Sequence, residues 1–494
     1  MAGGKHFSEK DRKSGIDFFK IWGVIYILVS AAFMGMLIYM NMFTVKLLAV
    51  AGAVVLVLAI IAASALFRKS RGKAGKIVAL IVTLIFMACY AFGIYYIGNT
   101  MHFLGNITGS NEKITEYYVV VNDNSDYEKI DDIDGNTVII IKSHDTEYDE
   151  AKKQLKDIAD IKYMEESSIN DVCISVLEKN SIIFVPAASH NSAEDILEGY
   201  SEGTRILYTV KVKGTQKDIS KKTDVTNEPF NVYVSGIDTE GSITSTARSD
   251  VNMILTIDPV NHKILMTSIP RDSYVPLQLD GRQGQMDKFT HTGIYGIEET
   301  VATAEALLGI DINYYVKVNF TTVRELIDIL GGIEIVSEKS FVSRDGIYYA
   351  EGVNYLNGND ALSFARERKA FANGDLQRNR NQQIVVEGVI KKVTSSTAIL
   401  TGYTDILKTI ENYMATNMKA KDIQKLAKMQ LGNMTGWKLE SSAVTGVPGC
   451  AACYSHGGAA ASVVYTDDAS VREASGKINS MMGIQTETDE DRKE

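Results

Sequence analysis

The chain has 494 residues, of which 45% are hydrophobic and 23% charged, with a formal net charge of -10. That length holds more than one domain with its own core. The acidic balance, with no basic stripe and no recognition-helix pattern, excludes a protein that grips nucleic acid through bulk electrostatics.

Three stretches near the N-terminus carry no charge: Ile21 to Val45, Leu47 to Phe67 and Ile77 to Ile97. Each matches the roughly 20 residues that cross a bilayer core. Buried core helices are shorter and keep a polar face. A cleaved signal peptide has a shorter apolar region and is not followed by two more spans. Three transmembrane helices are therefore expected. Lys5, Lys10, Arg12, Lys13 and Lys20 precede the first, and Arg68, Lys69, Arg71, Lys73 and Lys76 fill the second loop, whereas only Lys46 lies near the other turn. By the positive-inside rule the N-terminus is cytoplasmic and the bulk of the chain after Asn99 is extracytoplasmic, making this a multi-pass protein of the cell membrane. Trp22, Tyr26, Tyr39, Tyr95 and Tyr96 sit near span ends, as interfacial aromatics do.

Beyond residues 1–98 a polar linker is expected over 99–116, then an α/β lobe over 117–212. Tyr117 to Val121, Val138 to Ile141, Ile182 to Val185 and Arg205 to Val212 read as strands, and Thr146 to Ile161 and Asn170 to Glu178 as helices. The lobe has no clustered His or Cys and no Gly-rich phosphate loop, so it is assigned no chemistry. A second linker, 213–228, leads to a second α/β domain over 229–485, with a mixed sheet between helices. Its strands are read at Phe230 to Ser235, Met253 to Ile257, Ile264 to Ile269, Tyr314 to Val318 and Ile333 to Val336. Its helices are read at Glu298 to Leu308, Thr321 to Leu330, Ala361 to Lys369 and Gln382 to Val393. A return strand near Ala443 to Val447 and a helix near Ser470 to Met482 close it, and residues 486–494 form a disordered acidic tail.

Cys89 falls in a span and Cys173 in an apolar helical run, where both pack as small hydrophobes. Cys450 and Cys453 form Cys-Ala-Ala-Cys, a weak metal motif without a second pair. It reads as a local disulfide or as two inert thiols.

The informative feature of the second domain is its arginines: Arg248, Arg271 after Ser-Ile-Pro, Arg366 and Arg368, and Arg378 and Arg380 after Gly374-Asp375. Arginine suits phosphate because its planar fork donates two parallel hydrogen bonds and keeps its charge. Arg271 follows a strand and a proline, at the mouth of a sheet where α/β folds place ligands. Arg366 and Arg368, two apart near a helix end, diverge on an ideal helix; either the helix loosens there or only one reaches a ligand. Near a C-terminus they also simply favour the helix dipole. Arg378 and Arg380 begin the next helix, where the dipole disfavours cations, and a bound anion supplies a reason for them.

Asp238 and Asp250 each adjoin a strand-like segment. Two carboxylates flanking a pyrophosphate suit Mg²⁺, but Asp-Thr-Glu-Gly at 238–241 is equally an ordinary turn. No Gly-x-Ser-x-Gly elbow or His-Glu-x-x-His motif is present. His262 reads as a solvated turn residue and His291 as a satisfied structural histidine. What remains is positioning and charge neutralisation, which phosphoryl transfer chiefly needs.

Several ordered elements carry a resemblance. They are Gly236-Ile237-Asp238, Ala247-Arg248-Ser249-Asp250-Val251-Asn252, Ser268-Ile269-Pro270-Arg271-Asp272, Met286-Asp287-Lys288, the stretch Gly352 to Gly358, and Ala365-Arg366-Glu367-Arg368 through Gly374-Asp375, Arg378 and Asn381-Gln382-Gln383. At these positions, over about 230 to 395, the chain resembles the LytR-CpsA-Psr family of cell-wall glycopolymer transferases. Three spans and an extra lobe look like its capsule-type branch.

The resemblance implies an α/β/α domain in which a wall-polymer hydroxyl attacks the sugar-linked phosphate of an undecaprenyl pyrophosphate glycan. Undecaprenyl phosphate would leave, and peptidoglycan would be the acceptor. Carried over by position, Asp238 and Asp250 hold Mg²⁺, while Arg271, Arg366, Arg368 and Arg378 hold the pyrophosphate. Asp375 and Gln382 orient that cluster, and Arg248 and Arg380 are further substrate contacts. The polyprenyl chain would lie in an apolar cleft between sheet and helices. Asn381 stands where many members have Arg, and Thr290 and Gly293 interrupt the Asn-His-Ala-Tyr pattern common after Asp-Lys. A polymer-length regulator or sensor, and a plain pyrophosphate hydrolase, are the alternative expectations.

Overall fold

The structure is a computed structural model that describes residues 18–68, 72–109, 112–142, 146–195, 197–215, 217–237, 243, 247–279, 281–372, 374–395, 414–433 and 435–484. The acidic tail lies outside them. The chain forms two compact units, Met1–His102 with Ala427–Asn433, and Phe103–Leu426 with Met434–Glu494.

The first unit contains α1 (Phe18–Met40), α2 (Val45–Phe67) and the start of α3 (Lys73–Gly109), all long and apolar enough to cross a membrane. Its small interior gathers Tyr26, Val55, Ala62 and Tyr90, with Phe33 stacked on Tyr90 at 4.9 Å. Leu28, Val57, Ile60 and Ile81 face outward instead. An apolar exterior over spans of this length is what a hydrocarbon surround selects, since a helix satisfies its own backbone there.

Residues 99–116 are not the linker expected: α3 continues to Gly109, and strand β1 (Glu112–Asn122) begins three residues later. Phe103, Leu104 and Ile107 recur at helical spacing and bury against Met414, Ala420 and Ile423. That stripe outweighs the Asn and Gly around it.

The lobe that follows is a five-stranded sheet in the order β3-β2-β4-β1-β5, with β2 Thr137–Ile141, β3 Lys162–Glu166, β4 Ile182–Pro186 and β5 Thr204–Thr215. β2 runs parallel to β3 and β4, while β1 is antiparallel to β4 and β5. One face buries Tyr148 and Leu155 of α4 (Thr146–Ile158) against Tyr117 and Phe184. The other buries Val172, Cys173 and Val176 of α5 (Ile169–Glu178) with Val120 and Ile183. Short helices α6 (Ala187–Ser192) and α7 (Tyr200–Gly203) complete it. β3 escaped the sequence reading because it is an exposed, charged edge strand.

The expected linker 213–228 is strapped down. β5 reaches Thr215, Val225 is fully buried, and Lys221 Nζ bridges Glu305 (2.6 Å) and Asp311 (2.5 Å).

The second domain is built on a mixed six-stranded sheet, β16-β11-β6-β7-β8-β17. Its strands are β6 Phe230–Ile237, β7 Ser249–Asp258, β8 Lys263–Ser268, β11 Tyr314–Asn319, β16 Met414–Thr416 and β17 Lys438–Ala443. β11 is parallel to β6 and β17 to β8, whereas β7 is antiparallel to both its neighbours. Helices α8 (Ile297–Leu308) and α13 (Asp468–Met481) supply Val301, Ala304, Ala474 and Ile478 to one core. Val386 and Ile390 of α11 (Gly374–Ser395) join Met253, Met266 and Trp437 in another.

Between them lie α9 (Phe320–Ile329), α10 (Gly358–Arg366) and α12 (Ala420–Asn433), with short ladders β9 (Tyr274–Pro276) with β10 (Met286–Lys288), β12 (Ile333–Ser337) with β15 (Gly352–Leu356), and β13 (Phe341–Val342) with β14 (Tyr348–Tyr349). Residues 333–336 thus form a strand, as read, but in a separate small ladder.

The return strand is β17, earlier than the expected 443–447. The chain after it forms a hairpin of β18 (Gly446–Ala452) and β19 (Ala460–Thr466). This geometry also decides between the two cysteine readings. Cys450 and Cys453 are separated by extended backbone, about 10 Å at roughly 3.3 Å per residue. That exceeds the reach of a disulfide, so they are two separate thiols, Cys453 buried and pushed up to about 11 by that burial.

Candidate functional site

Strand direction assembles the site. Ile237 pairs with Ser249 and with Asn319 across the sheet, and Ser268 pairs with Met253. The ends of β6, β8 and β11 and the start of β7 therefore share one end of the sheet. Asp250 lies there on β7, and Pro270 turns the chain after β8 so that Arg271 comes back to it. Arg271 Nη1 is 2.6 Å from Asp250 Oδ2, and Thr290 Oγ1 donates to Asp250 Oδ1 at 3.0 Å. The Thr290 N–H also donates to the Arg271 carbonyl at 2.7 Å, so one residue fixes both partners. Asp272 Oδ2 lies 3.6 Å from Arg271 Nε, and its Oδ1 lies 3.7 Å from Lys288 Nζ.

α10 ends at Arg366, and Glu367 leaves helical conformation at φ -68°, ψ 130°. The loosening anticipated between Arg366 and Arg368 is what occurs. Buried Glu367 accepts from the Arg344 N–H (2.5 Å) and the Ala370 N–H (2.9 Å), fixing the turn. Arg366 stacks over the Phe320 ring at 4.9 Å, and Phe320 directly follows β11, at the same sheet end. Arg368 Nη1 is 3.8 Å from Asp375 Oδ1, and Arg378 Nη2 is 3.0 Å from that same oxygen.

The close approach behind this contact needs Gly374, because a Cβ there would collide with the Arg368 carbonyl oxygen. Gly374→Val is expected to push α11 off this loop and reduce activity at least tenfold, with a Tm loss measurable by calorimetry. Gly293 serves the other wall, where a Cβ would overlap the Ala247 carbonyl oxygen beside Arg248.

Arg378 is 8% exposed, and its Nε and Nη2 are buried without a hydrogen-bond partner, the Asp375 contact being off the hydrogen-bond line. Burial lowers its proton affinity from the ordinary value; Asp375 opposes this, and the charge of nearby Arg271 adds to it. Arginine stays protonated regardless. Arg271, Asp250, Asp272 and Asp375 are thus all near enough to act on the Arg378 charge.

The expected residues divide as follows. Asp250, Arg271, Arg368, Asp375 and Arg378 meet, and Arg366 stands at the same sheet end. Gln382 is buried one turn beyond Arg378 on α11, and Arg248 is half-buried two residues before Asp250. Arg380 turns away: its guanidinium binds Glu338 at 2.7 Å and Ser441 at 3.0 Å, because residues two apart on a helix face different sides. Asp238 lies outside the described residues.

Asp272, Lys288 and Thr290 were not foreseen as site residues, although Asp-Lys and the unusual Thr290 were visible in the sequence. His291 is the satisfied structural histidine expected: its Nδ1 is 2.9 Å from Asp287 Oδ1 and 2.7 Å from Ser455 Oγ. His262 is half-buried in a left-handed turn beside Trp437, 5.2 Å between rings, rather than solvated. Thr290→Val, which keeps shape but removes the hydroxyl, is expected to slow the reaction roughly tenfold with little loss of folding, and Thr290→Ser to restore it; steady-state rates of the purified variants measure this.

Fold and site together define a protein with three membrane-length helices and a mixed α/β domain whose sheet end gathers arginines and a lysine among three aspartates. A model of the LytR_cpsA_psr family matches residues 196–466. A polyisoprenyl-teichoic acid–peptidoglycan teichoic acid transferase, TagU of Bacillus cereus (strain AH820), is 36% identical over 211 residues, covering 42% of this chain and 67% of the relative. TagU of Enterococcus faecalis (strain ATCC 700802 / V583) is 35% identical over 214 residues, 42% of this chain and 69% of the relative. Among solved structures, B. subtilis TagV is 27% identical with a TM-score of 0.43, over 53% of this chain and 99% of that one. TagT bound to LIIa-WTA is 26% identical with a TM-score of 0.44, over 54% and 96%. The chain belongs to the LytR-CpsA-Psr family of cell-wall glycopolymer transferases.

Proposed function

We propose that this protein transfers a glycopolymer from an undecaprenyl diphosphate carrier to a peptidoglycan hydroxyl, releasing undecaprenyl phosphate. Arg378 is the observation that supports this most. A buried guanidinium with orphaned nitrogens, close to a second guanidinium, is costly unless an anion completes it. Arg271, Lys288, Arg368 and Arg378 outnumber Asp250, Asp272 and Asp375, with Arg366 a further cation at the sheet end, and the balance suits a diphosphate diester.

The acceptor oxygen would bond to the sugar-linked phosphorus as the bond to the bridging oxygen breaks. The electron pair and charge would leave on polyprenyl phosphate, and the hydroxyl proton would pass to a base or solvent. Arg271 and Arg378 would neutralise the charge that develops, while Asp375 orients Arg368 and Arg378, which is positioning plus electrostatics.

Among the described residues no group of three or more His, Cys, Asp or Glu side chains could hold a metal. Mg²⁺ is nonetheless commonly held by one or two carboxylates, waters and substrate phosphates. Asp250 fits that role as an oxygen donor at the cation cluster, each of its oxygens having a lone pair beyond its present bond, and Asp238 would be the second ligand. When bound, Mg²⁺ would supply further charge neutralisation at the diphosphate.

The three spans and the added lobe favour the capsule-type branch, with a capsular or related polymer as cargo. The charge asymmetry of the loops favours an extracytoplasmic site on the bacterial cytoplasmic membrane.

The test incubates the purified full chain with a polyprenyl-diphosphoryl glycan, peptidoglycan and Mg²⁺. Glycan on the wall material and released polyprenyl phosphate are expected. Release with the glycan ending only on water would identify a hydrolase instead, and transfer undiminished in Arg271→Ala would sink the site assignment.

A further inference from the structure

The turn that joins α1 to α2 is only four residues long, Asn41 to Thr44. Both helices have membrane length, so the turn between them falls at a bilayer surface. Tyr39, 72% exposed in the last turn of α1, suits the headgroup level there. Lys46 is the basic residue that the local sequence supplies to this surface. The fold brings more. The second half of α12, Ala427–Asn433, belongs to the same compact unit as the spans. Lys428 Nζ donates to Asn41 Oδ1 at 3.1 Å, and Gly432 lies so close to Thr44 that an added Cβ would stand 2.8 Å from its methyl group.

Lys428 and Gly432, four apart, define the face of α12 that meets the turn. Lys425 and Lys421 stand three and seven positions before Lys428, so all three lysines lie on that face. The opposite side carries Ile423 and Leu426, which pack with Val225, Phe230 and Met418. Asp422 is the one acidic residue of the helix, and of the three lysines only Lys425 is paired with a carboxylate among the described residues, Asp422 at 3.1 Å. Lysines on an exposed helix commonly do no more than meet water. Here their face is the one fastened to a turn between two spans, and its apolar side is already covered by protein. Attraction of such a helix to a bilayer therefore comes from charge, which anionic headgroups complement.

We infer that the lysine face of α12 docks on anionic phospholipid headgroups of the leaflet at the α1–α2 turn. Lys421, Lys425 and Lys428 supply the contacts, and Lys46 adds a fourth cation at the same surface. An ammonium on a flexible stem suits this partner, because headgroup phosphates in a fluid leaflet hold no fixed geometry for a planar fork to match. The inference depends on the membrane length of α1 and α2 and not on the diphosphate site.

Calorimetric titration of the full chain in detergent with dihexanoyl phosphatidylglycerol, and with dihexanoyl phosphatidylcholine as the zwitterionic control, tests this. The parent chain is expected to bind the anionic lipid at least about tenfold more tightly than the zwitterionic one at low salt, and to lose most of that preference near 0.5 M salt. Replacing Lys421, Lys425 and Lys428 together with Gln should abolish the preference, while Arg at all three positions, which keeps the charge, should retain it within about threefold. Gln at Lys153, Lys156 and Lys179, exposed lysines of the α/β lobe, removes equal charge elsewhere and should leave it within about twofold. Equal binding of the two lipids by the parent, or an equal loss in the lobe variant, overturns the inference. Binding of farnesyl phosphate at these lysines with indifference to phosphatidylglycerol overturns it as well, since the face would then serve a polyprenyl phosphate and not the leaflet.

Discussion

Arg378→Ala will lower polymer transfer by about two to three orders of magnitude, the loss expected when one preorganised donor to a developing charge is removed. Arg378 is buried and its Nε and Nη2 are unsatisfied, so on the proposed function its interaction with the diphosphate would not be diluted by water. Arg378→Lys will recover only part of the rate, because an ammonium keeps the charge but loses the planar fork. Arg380→Ala is the internal control. Two residues away, its side chain is held by Glu338 and Ser441, and its removal will change the rate by less than about threefold. Transfer assays on the three purified variants decide the matter. Equal losses at 378 and 380 would contradict the separation of the two side chains.

Asp287→Ala will produce the largest stability loss, about 3 kcal/mol or more, read as a fall in Tm of roughly 5–10 °C by scanning calorimetry. Asp287 is fully buried and accepts from the Ser455 N–H (2.8 Å), the Ser455 hydroxyl (2.9 Å) and the Lys288 N–H (2.8 Å), with His291 Nδ1 at 2.9 Å. It fastens the β18–β19 hairpin to the segment carrying Lys288 and Thr290. The same hairpin touches the arginine loop, since the Val464 N–H donates to the Asp272 carbonyl at 2.7 Å.

Burial works to raise the Asp287 carboxylate, but hydrogen bonding to His291, the His291 charge and the Ser455 bonds outweigh it and hold the group below its ordinary value. A depressed folded-state pKa stabilises fully above the unfolded value, near 3.9, and that contribution is lost as pH falls through the folded value. Tm should therefore drop more steeply below about pH 4 in the parent chain than in Asp287→Asn, which has no carboxylate to protonate. Parallel acid limbs would show that Asp287 does not contribute in this way.

Much of the fold was legible because its signals are local. Charge-free runs of membrane length and the alternation of β-rich and helical segments follow from short-range chemistry. The misreadings share one cause. Residues 99–109 look like a polar linker until Phe103, Leu104 and Ile107 find their burial partners more than 300 residues later. β3 is a strand chiefly because β2 offers it an edge. The Cys-Ala-Ala-Cys spacing allows a disulfide until β18 proves extended.

At the site, the sequence by itself determined which side chains were available: arginines after strands and at helix ends, in numbers that call for an anion, downstream of three spans. It could not determine their directions. Arg378 and Arg380 are chemically identical and two positions apart, yet only the packing of α11 against the sheet turns one into the pocket and the other onto Glu338. The Asp250–Thr290–Arg271 arrangement likewise depends on antiparallel β7 starting where β8 ends. Residue type is a property of each position, whereas convergence belongs to strand order and helix rotation, which are fixed only when distant segments compete for the same buried surface.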